Sequence, residues 1–283
     1  MLDLSSVNRT LRLHASRFHD DSLPPALKLE AFARFDRRAF SPREVAIGRD
    51  AWQHRTLDEY RSMVGLAEFL DELGQLGVAF EGVTTAVRVV RDEARHVELC
   101  SRMVVALGGS LKIPGEPEWV RSDRRQPLLE RVLSTIMGSL CVGETISVAL
   151  LAATRDVTVE PLTRAVLTQL TADESIHSQL GWTLLPVLWP HASGALQRRL
   201  LSSVEENLEY SAQVALAPGD TAQRPRHPFG DLHGSERKDV FCQSVDRDIR
   251  RRLMDLGLVT SGSRPSRRGR STSARNRKAG AGS

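Results

Sequence analysis

The sequence is poor in cysteine and in aromatic residues, and both shortages exclude classes of protein. Its three cysteines, Cys100, Cys141 and Cys242, are spread over 283 residues, so they are too few and too scattered for a disulfide framework or a zinc ribbon. Aromatic residues make up 5% of the chain, and β-branched runs with period-two alternation are rare, which argues against a β-sheet protein. A reducing compartment and a helical fold are therefore expected.

The N-terminus lacks the apolar run of a secretory signal, because charges interrupt every turn of "MLDLSSVNRTLRLHASRFHD". One later stretch, residues 132–154, is apolar enough to suggest a membrane span, but it contains Glu144. An ionised group in lipid would cost roughly 3 kcal/mol on insertion scales. We therefore expect a cytoplasmic protein without a membrane span, in which Glu144 lies on a buried helix.

The positive charge of the chain is concentrated at its C-terminal end. The sequence has 39 basic and 35 acidic residues, but seven of the basic residues follow Val259 with no acid among them. The remainder of the chain is therefore slightly acidic. Residues 259–283, mostly Ser, Gly, Arg and Ala, are predicted to be a disordered basic tail. Such a tail could bind nucleic acid by neutralising phosphates or could serve only as a solubilising segment.

Apolar residues recur at spacings of three and four over long segments, which is the helical period. This pattern predicts four long helices, at about residues 56–73, 80–107, 127–154 and 160–185. Two accessory helices are predicted within residues 195–256, and a short one near the N-terminus. The expected fold is all-α: an antiparallel four-helix bundle over about residues 56–190, with accessory N- and C-terminal helices in one domain that spans residues 1–258.

Two related motifs carry the chemistry: residues 92–96 read "DEARH" and residues 173–177 read "DESIH". Glutamate and histidine three residues apart share a helix face and can bind one metal ion together. A single pair of this kind is most simply explained as part of a solvated helix face without a metal ion. Two pairs, Glu93 with His96 and Glu174 with His177, indicate a dinuclear site.

A dinuclear site in a bundle also requires one carboxylate from each of the other two helices. In an antiparallel hairpin, residues equidistant from the turn lie side by side. Reflecting Glu93 through the turn near residue 76 gives Glu59, which continues an apolar stripe of its helix. Glu68 is the other candidate for this ligand position, but its acidic neighbours indicate a polar helix face. Reflecting Glu174 through the turn near residue 159 gives Glu144. Both hairpins thus supply a glutamate where the site needs one.

Charge supports a metal, because four buried carboxylates would repel one another, whereas two divalent cations would neutralise them. Oxygen-rich ligation with one imidazole per ion suits iron or manganese better than zinc. The aspartates before each glutamate, Asp92 and Asp173, are candidates for accepting the free imidazole N–H. We expect a crossed pairing, Asp92 with His177 and Asp173 with His96; an exposed aspartate on a helix is the competing account.

The order Glu59, "DEARH", Glu144 within "CVGETISVALL", then "DESIH" resembles the ferritin-like dinuclear carboxylate superfamily over about residues 55–190. That superfamily includes rubrerythrins, ribonucleotide reductase small subunits, bacterial multicomponent monooxygenases and arylamine N-oxygenases. The resemblance implies a site for two iron ions, with Mn/Fe or Mn as the other options. The ligands that it implies are Glu59, Glu93, His96, Glu144, Glu174 and His177.

Details of the motifs limit which branch the chain resembles. In having an aspartate before each ligand glutamate, the chain resembles the monooxygenase and reductase branch of the superfamily. Arylamine N-oxygenases have a third histidine one turn before the last ExxH, and this chain has Leu170 there. It also lacks the CxxC of a rubredoxin domain, which excludes a full rubrerythrin.

The resemblance implies a dinuclear non-haem iron oxidoreductase that uses O2 to hydroxylate, desaturate or N-oxygenate a small organic substrate. It would need an external electron donor, and a homodimer is left open. Three alternatives remain. The protein could be an iron-handling ferroxidase or storage-type protein, or a structural bundle that the metal merely stabilises. It could also be a diiron hydroxylase acting on tRNA, an interpretation that the basic tail alone supports.

Overall fold

The computed structural model describes residues 9–110, 123–215, 228–230, 232 and 234–258, and within these ranges every regular element is a helix. The prediction of an all-α protein is confirmed. The predicted disordered tail, residues 259–283, lies outside the described residues. The helices are α1 Arg9–Asp20, α2 Leu29–Ala33, α3 Pro42–Leu76, α4 Phe80–Ala106, α5 Leu128–Thr135, α6 Glu144–Val157, α7 Pro161–Leu188, α8 Gly194–Ala215, α9 Gly234–Ser244 and α10 Arg251–Asp255.

Two segments between these helices have the wider turns of a π-helix: Ile136–Gly143, between α5 and α6, and Val245–Arg250, between α9 and α10. The first lies inside the long helix predicted for residues 127–154. The chain is thus helical from Leu128 to Val157, but its geometry changes just before Glu144.

The first hairpin consists of α3 and α4. α3 begins at a capping box: the Ser41 hydroxyl accepts a hydrogen bond from the Glu44 N–H, and the Glu44 carboxylate accepts one from the Ser41 N–H. The sequence analysis placed this start near residue 56 and was wrong. α3 is capped by Gly77, whose left-handed conformation (φ 74°) turns the chain towards α4.

The second hairpin consists of α6 and α7, joined by residues 158–160. The Glu160 carboxylate accepts hydrogen bonds from the N–H groups of Leu162 and Thr163 and so caps the start of α7. α7 also packs against α4 and against the π-helical segment Ile136–Gly143. These contacts join the two hairpins along α7.

The contact between α7 and the π-helical segment is very close at Gly181. A Cβ atom on Gly181 would lie 2.6 Å from the Leu140 Cβ and 3.0 Å from the Cys141 nitrogen. Only glycine therefore permits this approach of the two backbones.

The helix from Leu128 to Val157 is also long and apolar enough to cross a membrane by length and composition alone, with a mean hydropathy of 1.8 over its most apolar stretch. In the fold, Leu133, Ile136, Met137 and Leu140 are fully or almost fully buried, and the helix packs along α7.

Buried apolar side chains form two clusters, one towards each end of the long helices. On α4, Val89 belongs to the first cluster and Leu99 to the second; on α7, Leu180 belongs to the first and Leu170 to the second. Glu93, His96, Glu174 and His177 fall between these positions and are themselves buried. A layer of buried polar groups thus separates two apolar ends.

Candidate metal centre

The six residues singled out in the sequence come together in the polar layer. They form two groups whose ligand atoms lie within 4.8 Å of one another. Glu93 and Glu174 belong to both groups. The groups are Glu59, Glu93, His96 and Glu174, and Glu93, Glu144, Glu174 and His177. Such buried carboxylate and imidazole clusters could hold a metal ion.

Both histidines direct Nδ1 towards the carboxylates. The Nδ1 of His96 lies 3.3 Å from Glu59 Oε2 and 3.4 Å from Glu174 Oε1. The Nδ1 of His177 lies 2.8 Å from Glu174 Oε2 and 3.1 Å from Glu93 Oε1. The two imidazoles therefore face one shared set of oxygens, with their ring centroids 5.6 Å apart.

Several of these atoms are close together without being hydrogen-bonded. Within the described ranges, both carboxylate oxygens of Glu93, one oxygen of Glu174 and both ring nitrogens of His177 are buried and have no hydrogen-bond partner. Native proteins rarely leave so many buried polar atoms unsatisfied. Atoms that converge without hydrogen-bond alignment are what a cation coordinated between them requires, so the residues fit a metal site.

The opposite ring nitrogens face the two aspartates in a crossed manner. The Nε2 of His96 lies 3.2 Å from Asp173 Oδ2, and the Nε2 of His177 lies 3.7 Å from Asp92 Oδ2. Each histidine thus faces the aspartate of the other motif, which is the arrangement expected from the sequence. The first contact is a hydrogen bond, whereas the second is longer than one.

Arg95 was missed by the sequence analysis and connects both aspartates. Its Nη2 lies 2.6 Å from Asp92 Oδ1 and 2.7 Å from Asp173 Oδ2, and the residue is 8% exposed. The signal was visible within "DEARH", since Arg95 lies three residues after Asp92 and so on the same helix face. The corresponding residue of "DESIH" is Ile176, so a single arginine serves both motifs.

Burial and charge strongly perturb the ionisation of the cluster. Burial raises the pKa of Glu93 to about 7 and that of Glu144 well above its usual range, and the Glu174 carboxylate adds to both effects. Burial alone would lower the pKa of His177, but Asp92, Glu174 and Glu93 raise it to about 11. Without a cation, protons must therefore balance the charge of the carboxylates, and a bound metal would take their place.

The cluster has a closed face and an open face. Glu93, His96 and His177 are fully buried, whereas Glu59 and Glu144 are 8% and 7% exposed. A cavity of about 820 Å³ between α3 and the π-helical segment is lined by Glu59, Glu144 and Glu174. A small molecule could therefore reach the carboxylate side, while the histidines and aspartates are sealed.

The π-helical segment positions Glu144 at the edge of this cavity. π-helical turns often occur at functional sites, and this one ends at Gly143, directly before Glu144. The neighbouring Thr145 hydroxyl lies 2.8 Å from the Ser178 hydroxyl, next to His177. This contact connects the Glu144 region to the second motif.

Glu68, the carboxylate rejected in favour of Glu59, does not lie on a solvated face. Its side chain is 14% exposed and forms an ion pair of 3.5 Å with Arg124. The neighbouring Glu72 is buried and lies 2.6 Å from Arg131 Nε. The predicted polar face of α3 is thus an ion-paired contact with the segment around α5, and neither glutamate belongs to the two groups of candidate ligands.

Comparison of the chain with protein-family models, with curated proteins and with solved structures gave no match, so the function must be argued from the residues of the site.

Proposed function

We propose that this protein is an oxidoreductase that holds two iron ions and uses O2 to oxidise a small organic molecule. The observation that carries the proposal is the pair of overlapping ligand groups that share Glu93 and Glu174. We further propose that α3, α4, the helix Leu128–Val157 and α7 form a ferritin-like four-helix bundle. In such proteins two helices each provide a glutamate and the other two each provide a Glu-x-x-His pair.

The shared membership assigns a role to each residue. Glu93 and Glu174, which belong to both groups, would contribute to holding both ions. Glu59 and His96 would hold one ion, and Glu144 and His177 the other. Two divalent cations would balance the four carboxylates and remove the repulsion that otherwise forces protons onto Glu93 and Glu144. Asp92 and Asp173 hold the imidazoles so that Nδ1 stays directed at the ions.

Two ferrous ions bound here would supply the redox chemistry that activates O2. The chain itself provides access and exclusion. The sealed side, with both histidines and Arg95, keeps water away from the imidazoles, while the cavity beside Glu59 and Glu144 admits the reactants. An external electron donor would restore the reduced state.

The cavity favours an organic substrate over iron as the substrate. Its volume of about 820 Å³ lies within the range of small-molecule sites. Beyond the candidate ligands its walls include Leu150, Leu151 and Leu232, and two arginines, Arg55 and Arg237, against one acid, Asp58. A path for Fe(II) would be expected to carry more acidic than basic side chains.

Anaerobic loading of the full-length protein with Fe(II), followed by exposure to O2, tests the proposal. Metal analysis should give two irons per chain, and O2 should change the absorption spectrum of the iron-loaded protein but not that of a Zn(II)-loaded control. Further additions of Fe(II) should not be oxidised in large excess, as they would be by an iron-storage protein. Failure to retain iron would overturn the proposal.

A further inference from the structure

One face of α3 lines the cavity beside the candidate metal centre. The cavity-lining residues of this helix recur at helical spacing, from Ala51 to Ser62, with Glu59 as the candidate ligand. Arg55 lies on this face one turn before Glu59, which is a rise of about 6 Å along the helix axis. A molecule that extends along this face would contact Arg55 at one end and the metal centre at the other.

Arg55 is the charged group of the cavity that lacks a counter-ion. It is half-buried, its guanidinium carbon lies 5.4 Å from the centre of the Trp52 ring, and it forms no ion pair within the described part of the chain. Asp58, the nearby acid on the cavity wall, already lies 2.9 Å from Arg61 Nη1 and is 70% exposed. With the glutamates neutralised by metal, the positive charge of Arg55 is left for an occupant to balance.

The opposite wall leaves room for that occupant. A Cβ atom on Gly138 would meet nothing within 4 Å apart from its own helix, and Gly138 lines the cavity beside Ser139 and Gly143. The wall carries hydroxyls and leucines but no acidic side chain other than the candidate ligand Glu144. It therefore suits an uncharged, partly apolar chain.

We propose that Arg55 binds the carboxylate of an organic acid, which is the substrate of the centre. This inference depends on the proposed function, since it identifies what the cavity holds next to the ions. A planar guanidinium matches a carboxylate with two parallel hydrogen bonds. The positive charge of Arg55 would repel a protonated amine, so the proposal excludes amines from this end of the cavity.

The test measures binding of straight-chain carboxylic acids, from butanoate to decanoate, and of the matching primary amides. Titration calorimetry is carried out on the full-length protein loaded with Zn(II), which cannot reduce O2, and metal analysis accompanies each sample. At least one acid should bind more tightly than its amide. Arg55→Gln should weaken binding of that acid by about 10- to 100-fold and leave the amide unchanged, since a hydrogen-bonded charge is removed.

Three further variants control the measurement. Arg43→Gln changes an exposed arginine of the same helix outside the cavity lining and should bind the acid like wild type. Arg55→Lys keeps the charge and should retain a preference for acid over amide. Gly138→Leu should weaken binding of the longer acids and amides alike by filling the cavity, whereas Gly138→Ala should not.

Each outcome separates the inference from the proposed function. If the chain holds two metal ions but no acid is preferred to its amide, the inference is wrong and the proposed function stands. It is also wrong if Arg55→Gln retains the preference, because the metal ions would then bind the acid, or if Gly138→Leu binds decanoate as wild type does. If metal analysis finds no bound ions, both proposals fall together.

Discussion

The four glutamates of the cluster occupy two kinds of position. Glu93 and Glu174 belong to both ligand groups and are the more deeply buried pair, whereas Glu59 and Glu144 each belong to one group and are more exposed to the cavity. Loss of a shared carboxylate would disturb both ions. Loss of Glu59 or Glu144 would disturb one ion and widen access to it.

Glu59→Ala should lower the metal content below two ions per chain. The substitution removes one carboxylate from a charge-balanced site and leaves an uncompensated positive charge in a buried layer. Metal analysis of the purified variant checks the prediction.

Asp71→Asn is the matched control on the same helix. Asp71 is exposed, and within the described residues its one hydrogen bond comes from Gln75 on the next turn of the same helix, so the metal content of the variant should match wild type. Glu68→Ala should also retain both ions, although it should lose some stability with its ion pair. Two ions in Glu59→Ala would contradict the assignment of Glu59 and the hairpin register from which it was predicted.

Arg95→Met should destabilise the fold by about 3 kcal/mol, because Asp92 and Asp173 lose the buried guanidinium that they share, although Asp92 keeps Arg88 and Asp173 keeps His96 and Gln169. Both ions should also bind more weakly, about 10- to 100-fold, since the carboxylates that orient the two imidazoles are no longer held in place by Arg95. Denaturant unfolding and metal titration measure the two effects.

Arg88→Met provides the comparison for Arg95. The Arg88 side chain is 55% exposed and lies 3.4 Å from Asp92, so its removal should cost less than about 1 kcal/mol. Equal effects of the two substitutions would show that Arg95 has no special role. Asp92→Asn and Asp173→Asn should retain both ions and each weaken mainly the ion of the histidine that it faces.

Sequence reasoning could find the six clustered residues because the motif spacing and the hairpin symmetry constrain them independently. Sequence reasoning missed Arg95 because an arginine within a charged motif is usually solvated. The fold alone brings Asp173 into contact with the Arg95 guanidinium. Glu68 was misjudged for a similar reason. Its partner, Arg124, is distant in sequence, so acidic neighbours on α3 gave a misleading indication of exposure.

At the scale of helices, the contact between α7 and the π-helical segment determines where Glu144 and His177 lie relative to each other. Gly181→Ala should disturb this contact, since its Cβ would lie 2.6 Å from the Leu140 Cβ. Overpacking of this kind typically costs 1–3 kcal/mol, and the metal content should fall as the two elements move apart. Thermal unfolding and metal analysis test both effects.

Gly138→Ala, which also replaces a glycine of a helical segment by alanine, serves as the control for Gly181→Ala. Its Cβ would meet no neighbouring side chain within 4 Å, and alanine favours helical backbone over glycine by roughly 0.5–1 kcal/mol. Gly138→Ala should therefore be neutral or stabilising. A Gly181→Ala protein as stable and as metal-rich as Gly138→Ala would show that the close approach is unimportant.

Helix periodicity predicted the bounds of α4 and α7 to within about three residues. It missed the start of α3 because residues 42–55 carry many charges, although Ser41, Pro42 and Glu44 form a recognisable helix start. The π-helical turns could not be predicted from the sequence, because the apolar pattern of residues 132–154 is equally compatible with a regular α-helix. The segment packs against α7, a contact that is apparent only in the fold.

At the scale of the whole molecule, the polar layer lies between the two buried apolar clusters. Removal of metal should therefore lower the stability of the entire fold. Ligand linkage gives about 2.7 kcal/mol when the free metal is at 100 times its dissociation constant. The melting temperature should fall on treatment with a chelator and recover on addition of Fe(II) without O2. No change in melting temperature would argue against an ion in this layer.

Removal of residues 260–283 should leave the helical melting transition and the metal content unchanged, because a segment this polar buries little surface. Circular dichroism and metal analysis of the truncated chain check this. A loss of either property would make the tail part of the fold. If the tail binds nucleic acid, truncation should abolish a salt-sensitive retention of RNA.

If the cluster holds two ions as proposed, their positions are not equivalent, because the two histidines differ in their contacts. His96 is hydrogen-bonded to Asp173, which Gln169 also holds, whereas His177 and Asp92 are 3.7 Å apart; Arg95 contacts both aspartates. The better oriented imidazole should bind first. Stepwise filling of this kind would allow the chain to select a different metal at each position, so that a mixed manganese and iron centre could assemble in order from a duplicated motif.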